Sequence, residues 1–143
     1  MIEILLVEDD EGDIELTQEA FRRSKVALKM NVVRDGIEAM TYLRQEEHFQ
    51  GAKSPDLVLL DLNLPRKDGR EVLVEMEADE HLKKIPVVVL TTSSADEDVL
   101  KSYQIGANAY VTKPVGLEGL TKVVSLLEEF WFTIVKLPPH QLQ

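Results

Sequence analysis

The chain has 143 residues, of which 44% are hydrophobic and 29% charged, with no cysteine and a formal net charge of −10. This length predicts one domain able to bury its own core without staples, and the composition excludes intrinsic disorder and collagen-like repeats. Without cysteine there is no disulfide framework, thiolate metal site or cysteine nucleophile, and the acidic balance excludes binding nucleic acid by phosphate neutralisation while suiting basic partners or a bound cation.

Taken in chain order, Ile2 to Val7 reads as a buried strand, with no basic segment before it that would make a secretory leader. Asp13 to Ser24 is predicted as a helix, with Ile14, Thr17 and Phe21 on one row. Leu28 to Val33 is a second strand. Asp35 opens a helix through Leu43, with Glu38 as its capping-box partner. Leu57 to Leu60 is a third strand, Gly69 to Glu80 a helix, and Pro86 to Leu90 a fourth strand. Ser94 and Glu97 predict a capped helix ending at Gly106, a C′ glycine. Tyr110 to Thr112 is a short fifth strand, and Leu117, Leu120, Val123, Val124 and Leu127 mark the last helix.

Continuous aliphatic runs mean strands covered on both faces, and their alternation with helices means a parallel sheet. The predicted fold class is α/β, a doubly wound (βα)5 sandwich with right-handed crossovers. Its ligand crevice lies at the carboxyl ends of the strands. There the sequence places Glu8, Asp9 and Asp10 after strand one, Asp61 after strand three, Thr91 and Thr92 after strand four, and Lys113 after strand five. Each residue has an ordinary reading when taken alone. Acidic runs are usually solvated helix starts, threonine is a common strand residue, and Tyr110 is more often core than switch. His48, His81 and His140 are isolated and receive no role. The convergence is what changes the weighing. Crowded carboxylates with all-oxygen donors suit a hard divalent ion such as Mg²⁺. Asp61 then stays ionised as a nucleophile, while Lys113 and Thr91 offer donors to an anion, which is a phosphoryl-transfer set.

The segments LLVEDD, LVLLDLNLP-x-x-DG, PVVVLTTSS and ANAYVTKP, in this order, resemble the response-regulator receiver domains of two-component signalling over roughly residues 2–131. LNLPRKDGREVL and the FWFTIVKLP ending are similar to single-domain regulators that partner cyanobacterial phytochromes. The resemblance implies a five-stranded sheet of order 2-1-3-4-5. It implies that Asp61 accepts a phosphoryl group from a sensor histidine kinase, and that Asp9, Asp61 and the main-chain carbonyl of Asn63 ligate Mg²⁺ or Mn²⁺, with Glu8 helping through water. It gives Lys113 the phosphoryl oxygens and makes Thr91 and Tyr110 the switch pair. Asn63 and Thr92 would tune the lifetime of the phosphorylated state. Asp10 falls outside the acidic pair.

Residues 1–132 are expected to form the receiver domain and 133–143 a C-terminal extension. Phe130, Trp131, Phe132 and Ile134 read as an apolar contact surface for a homodimer. Apolar runs of about six residues are far below the ~20 that span a bilayer, so the chain is expected to be cytoplasmic. With nothing after Gln143 to act as an effector, it is expected to signal by contact with a downstream target or a histidine phosphotransfer protein. Three rivals remain open. A haloacid-dehalogenase-type phosphatase would want a second carboxylate where Asn63 stands. A flavodoxin-like carrier would want a Ser/Thr/Gly phosphate loop where Glu8–Asp10 stand. A docking module would use the fold without phosphotransfer.

Overall fold

The aliphatic runs form the sheet, and every strand runs parallel. The computed structural model describes residues 1–24, 27–92, 95–113 and 116–129. Strands β1 (Ile2–Val7), β2 (Leu28–Val33), β3 (Leu57–Leu60), β4 (Val87–Thr91) and β5 (Ala109–Thr112) alternate with helices α1 (Glu11–Arg22), α2 (Gly36–Leu43), α3 (Gly69–Glu77), α4 (Asp96–Ile105) and α5 (Gly116–Glu129). The strand order is β2-β1-β3-β4-β5. Successive side chains of a strand point to opposite faces, and the sheet uses both. Leu5, Val7, Val58, Leu60, Val87 and Val89 pack under α2 and α3 with Met40, Val72, Leu73 and Met76. Ile4, Leu6, Leu57, Leu59, Val88 and Leu90 pack under α1 and α5 with Ile14, Phe21, Leu120 and Val124. Burial on both sides is why these strands read as unbroken apolar runs.

The helix boundaries differ from the predicted ones for local reasons. α1 opens at Glu11, two residues early, because the Asp10 carboxylate caps it by accepting from the Asp13 N–H at 2.9 Å. The α2 capping box is half formed. Asp35 accepts from the Glu38 N–H at 2.7 Å, but the Glu38 carboxylate accepts from the Arg34 N–H, one residue before the cap. α3 stops at Glu77 rather than Glu80, since Asp79 accepts from the His81 and Leu82 N–H groups and starts a 3₁₀ turn over Leu82–Lys84. β4 includes Thr91, which is in register with Thr112 of β5. α4 opens with Ala95 at its N-cap, one residue past the expected Ser94. Gly106 ends it at φ 143°, as expected for a position that disfavours a Cβ.

Ser93, Ser94 and Pro114 lie outside the described residues, as do Phe130, Trp131, Phe132, Ile134 and the rest of the expected extension. Among the described residues, no helix is long and apolar enough to cross a membrane.

Candidate functional site

Backbone hydrogen bonds bring the strand ends to one edge. The Glu8 N–H donates to the Val33 carbonyl at 3.0 Å and the Asp61 N–H to the Val7 carbonyl at 3.1 Å. The Lys113 N–H donates to the Thr91 carbonyl at 2.7 Å. These ladder bonds are the last of their strands, so the chain leaves the sheet there and its side chains turn into a shared crevice.

Asp61 is at the centre. Its Oδ1 accepts from the Thr91 hydroxyl at 2.7 Å and from the Asn63 N–H at 3.1 Å, and its Oδ2 accepts from Lys113 Nζ at 2.9 Å. Lys113 also donates to Asp13 Oδ2 at 2.9 Å and to the Glu8 carboxylate. Glu8, Asp61 and Thr91 are buried, with Thr91 fully so, while Asp9 and Asn63 are exposed. The Glu8 Oε2 accepts from the Asp9 N–H at 3.0 Å, which ties the acidic pair together at the end of β1.

Electrostatics follow from this burial. Burial pushes the Glu8 carboxyl up to about 7, helped by the neighbouring Asp61 charge and opposed by the Lys113 hydrogen bond. Burial would also raise Asp61. Hydrogen bonds from Lys113, Thr91 and the Asn63 backbone outweigh it and hold this carboxyl below the usual range. Desolvation opposes the Lys113 charge, but Glu8, Asp13 and Asp61 together hold the ammonium well above its ordinary value. The site therefore keeps Asp61 ionised, with both of its oxygens supplied with donors, next to a fixed cation. Three carboxylates, those of Glu8, Asp13 and Asp61, surround that one ammonium.

Carboxylate oxygens of Glu8, Asp9 and Asp61 lie within 4.8 Å of one another. All-oxygen donors with excess negative charge are the ligand set of a hard divalent cation. The residues present fit such an ion.

Of the sequence-predicted residues, Glu8, Asp9, Asp61, Thr91 and Lys113 come together. Asn63 joins through its backbone N–H, and Thr92 is exposed just beyond β4. Tyr110 is on the α3 side of the sheet, half-buried against the core there. Asp10 turns away as the α1 cap, consistent with its exclusion from the acidic pair. The sequence reading missed Asp13, whose only signal was an acid in the first turn of the helix after the acidic loop. It also missed Gly69. A Cβ there would sit 2.2 Å from the Asp61 carbonyl oxygen and 2.7 Å from the Leu62 Cα. Glycine lets α3 start against the backbone of Asp61, and the signal for it is the Asp-Gly pair closing the loop after β3.

A doubly wound five-stranded parallel sheet with this acidic, lysine-bearing edge is the architecture of a receiver domain. The chain belongs to the response regulator receiver domain family, whose model matches residues 4–125. The response regulator Rcp1 of Synechocystis sp. is 47% identical over 135 residues, covering 94% of this chain and 92% of that protein. Among solved structures, the phosphorylated cyanobacterial phytochrome response regulator RcpA matches with TM-score 0.90 and 52% identity, over 96% of this chain and 98% of that one. The Mn²⁺-bound form of Rcp1 matches with TM-score 0.89 and 46% identity, over 96% and 99%. The chain is thus a response regulator related to the phytochrome response regulators.

Proposed function

We propose that this protein accepts a phosphoryl group on Asp61 from a sensor histidine kinase of the phytochrome type, and signals through a protein–protein surface that the modification alters. The observation that carries this reading is the buried Asp61 carboxylate, with the Thr91 hydroxyl at 2.7 Å on one oxygen and the Lys113 ammonium at 2.9 Å on the other. In the transfer, an Asp61 oxygen attacks phosphorus and a P–O bond forms. The P–N bond of the phosphohistidine breaks, and the imidazole nitrogen leaves with the electron pair. Lys113 neutralises charge on the phosphoryl oxygens. Thr91 exchanges its bond to Asp61 Oδ1 for one to a phosphoryl oxygen, and Tyr110 turns inward behind it.

Asp9, Asp61 and the Asn63 main-chain carbonyl would hold Mg²⁺ or Mn²⁺, with Glu8 acting through water. That ion supplies charge neutralisation for an incoming dianion. The protein is a regulatory acceptor that assists its own phosphorylation and dephosphorylation, working in the cytoplasm on a downstream protein or a histidine phosphotransfer protein. The homodimer expected from Phe130, Trp131, Phe132 and Ile134 belongs to the same reading.

Intact mass after incubation with Mg²⁺ and acetyl phosphate tests the acceptor role. The expected result is a gain of one phosphoryl group that hydroxylamine removes. No gain with acetyl phosphate or with a kinase overturns it, and light scattering on the same samples reads the oligomer. Sustained turnover of a phosphomonoester would favour the phosphatase reading instead.

Two further outcomes are expected. Millimolar Mg²⁺ raises the thermal midpoint, because an ion bound only by the folded state stabilises it by mass action. Asp9→Asn removes most of that rise while leaving the midpoint in chelator unchanged, and an equal rise in both proteins would exclude Asp9 as a ligand. Thr92→Ala shortens the phosphorylated half-life several-fold, because the exposed threonine beside Thr91 restricts the approach of water to the acyl phosphate. An unchanged half-life removes Thr92 from that role.

A further inference from the structure

α4 is attached to the domain unlike the other helices. Ser102 is its only fully buried residue among those whose side chains are described, with Val99 and Ile105 half-buried. A groove of about 640 Å³ runs between α3 and α4, lined by Leu73, Val74 and Ile105 as well as Arg70 and Asp98. Well-packed interiors hold few voids and resist displacement, so a helix above such a groove moves at lower cost than its neighbours.

Polar fastenings hold α4 instead. At its far end the Tyr103 hydroxyl accepts from the Tyr110 N–H at 3.0 Å, which fixes α4 to β5. At its first turn the Asp98 carboxylate accepts two bonds from one guanidinium, Arg70 Nε at 3.0 Å and Nη2 at 2.8 Å. The same guanidinium uses Nη1 on both oxygens of Asp68, at 3.2 and 3.1 Å. Asp68 is the N-cap of α3, and the next residue, Gly69, is packed on the Asp61 backbone with its N–H on the Leu62 carbonyl at 2.9 Å.

Beyond the β3–β4 ladder, two side-chain junctions among the described residues join the segment running from β3 into α3 to the segment running from β4 into α4. One is the Thr91–Asp61 hydrogen bond. The other is the Arg70–Asp98 pair, seven residues further along the second segment. A phosphoryl group on Asp61 breaks the first junction, since the Thr91 hydroxyl then has a new acceptor. The second junction resists the shift of the β4–α4 segment that follows.

Resting on the acceptor role proposed for Asp61, we infer that Arg70 is a positioning residue for the switch. Its ion pair with Asp98 restrains α4 in the arrangement that keeps Thr91 on Asp61, and releasing the pair favours the phosphorylated state. Arg70 touches none of the reacting atoms and acts through α4.

The test is the rate of phosphoryl uptake from acetyl phosphate by wild type, Arg70→Gln, Asp98→Asn and the double variant. Each single variant should react about fivefold faster, the lower end of typical coupling between two sites. The double variant should match the singles, because both remove the same pair. Arg70→Lys, which keeps a charge on Asp98, should return part of the way to wild type and tests the pair should Arg70→Gln fail to fold. Unchanged or slower uptake in the single variants overturns the inference. A double variant about 25-fold faster also overturns it, because that is the product of independent effects. Failure of wild type itself to react overturns the acceptor role and this inference together. A reacting wild type matched by its variants overturns only the role of Arg70.

Discussion

Asp61→Asn takes up no phosphoryl group under conditions in which wild type gains one, and it stays folded. The carboxamide keeps the shape of the side chain, and its oxygen can still accept from Thr91 and from the Asn63 N–H. It lacks the anionic nucleophile. Lys113 Nζ, now 2.9 Å from Oδ2, would face either a neutral oxygen or an amide N–H₂ that cannot accept. The ammonium keeps Glu8 and Asp13 as partners, so the substitution does not strand a buried charge. It also removes the repulsion between Asp61 and Glu8, which helps push the Glu8 carboxyl up to about 7. That relief works against the loss of the Lys113 and Thr91 interactions that favour the ionised carboxylate, so the thermal midpoint should stay close to that of wild type. Intact mass and a melting curve on one sample check both halves. An adduct of undiminished yield would place the acceptor on another residue. A lost adduct with a collapsed midpoint would mean that the carboxylate holds the site together rather than reacting.

Lys113→Ala is expected to cost both function and stability. One ammonium, 11% exposed, satisfies Glu8, Asp13 and Asp61. Removing it leaves two buried carboxylates facing each other without a counter-charge. Stripping one partner from a buried ion pair typically costs about 3–5 kcal/mol. The lower end, about 3 kcal/mol, applies here because Glu8 relieves part of the repulsion by taking up a proton. For a chain of this size the midpoint should fall by roughly 10 °C, and Mg²⁺ should recover part of that fall by supplying another counter-charge. Phosphoryl uptake should drop by about 10²–10³-fold, the usual loss when a preorganised charge-stabilising donor is removed. Calorimetry with and without Mg²⁺, alongside uptake measured by mass, checks each part. A midpoint within a degree of wild type would show that solvent or a neighbouring group already screens this cluster.

These two variants separate the chemistry of the site from its framework. Asp61→Asn removes the nucleophile and leaves the Lys113 ammonium paired with Glu8 and Asp13. Lys113→Ala breaks the charge balance and leaves the nucleophile. The Arg70 variants act further out, on the fastening of α4, and should raise rather than lower uptake.

Much of this was legible in the residues. Runs such as Leu57–Leu60 and Val87–Leu90 carry their burial in their composition, because only a strand covered on both faces is apolar at every position. Glu8, Asp9, Asp61, Thr91 and Lys113 were legible because each lies at or just past the end of a predicted strand, and a parallel sheet collects the ends of its strands at one edge. Helix boundaries were less legible. Asp10 and Asp13 are both acids near a helix start, and either could cap. Which does so depends on the direction in which the chain leaves β1. Asp79 ends α3 early by a side-chain bond to the backbone, a competition that apolar periodicity does not register.

The sequence by itself determined the α/β class, the five βα units, the acidic edge and the likeness to receiver domains. These depend on residue type and spacing, and both are local. Only the tertiary structure decided which groups touch. It decided that Lys113 reaches Asp13 as well as Glu8 and Asp61, that Gly69 sits on the Asp61 backbone, and that Arg70 joins the α3 cap to α4. The physical reason is separation along the chain. Lys113 and Asp13 are 100 residues apart, and Arg70 and Asp98 are 28 apart. A long charged side chain meets several possible partners within its reach. Which it takes is settled by where the packed sheet and helices hold those partners, not by its own identity.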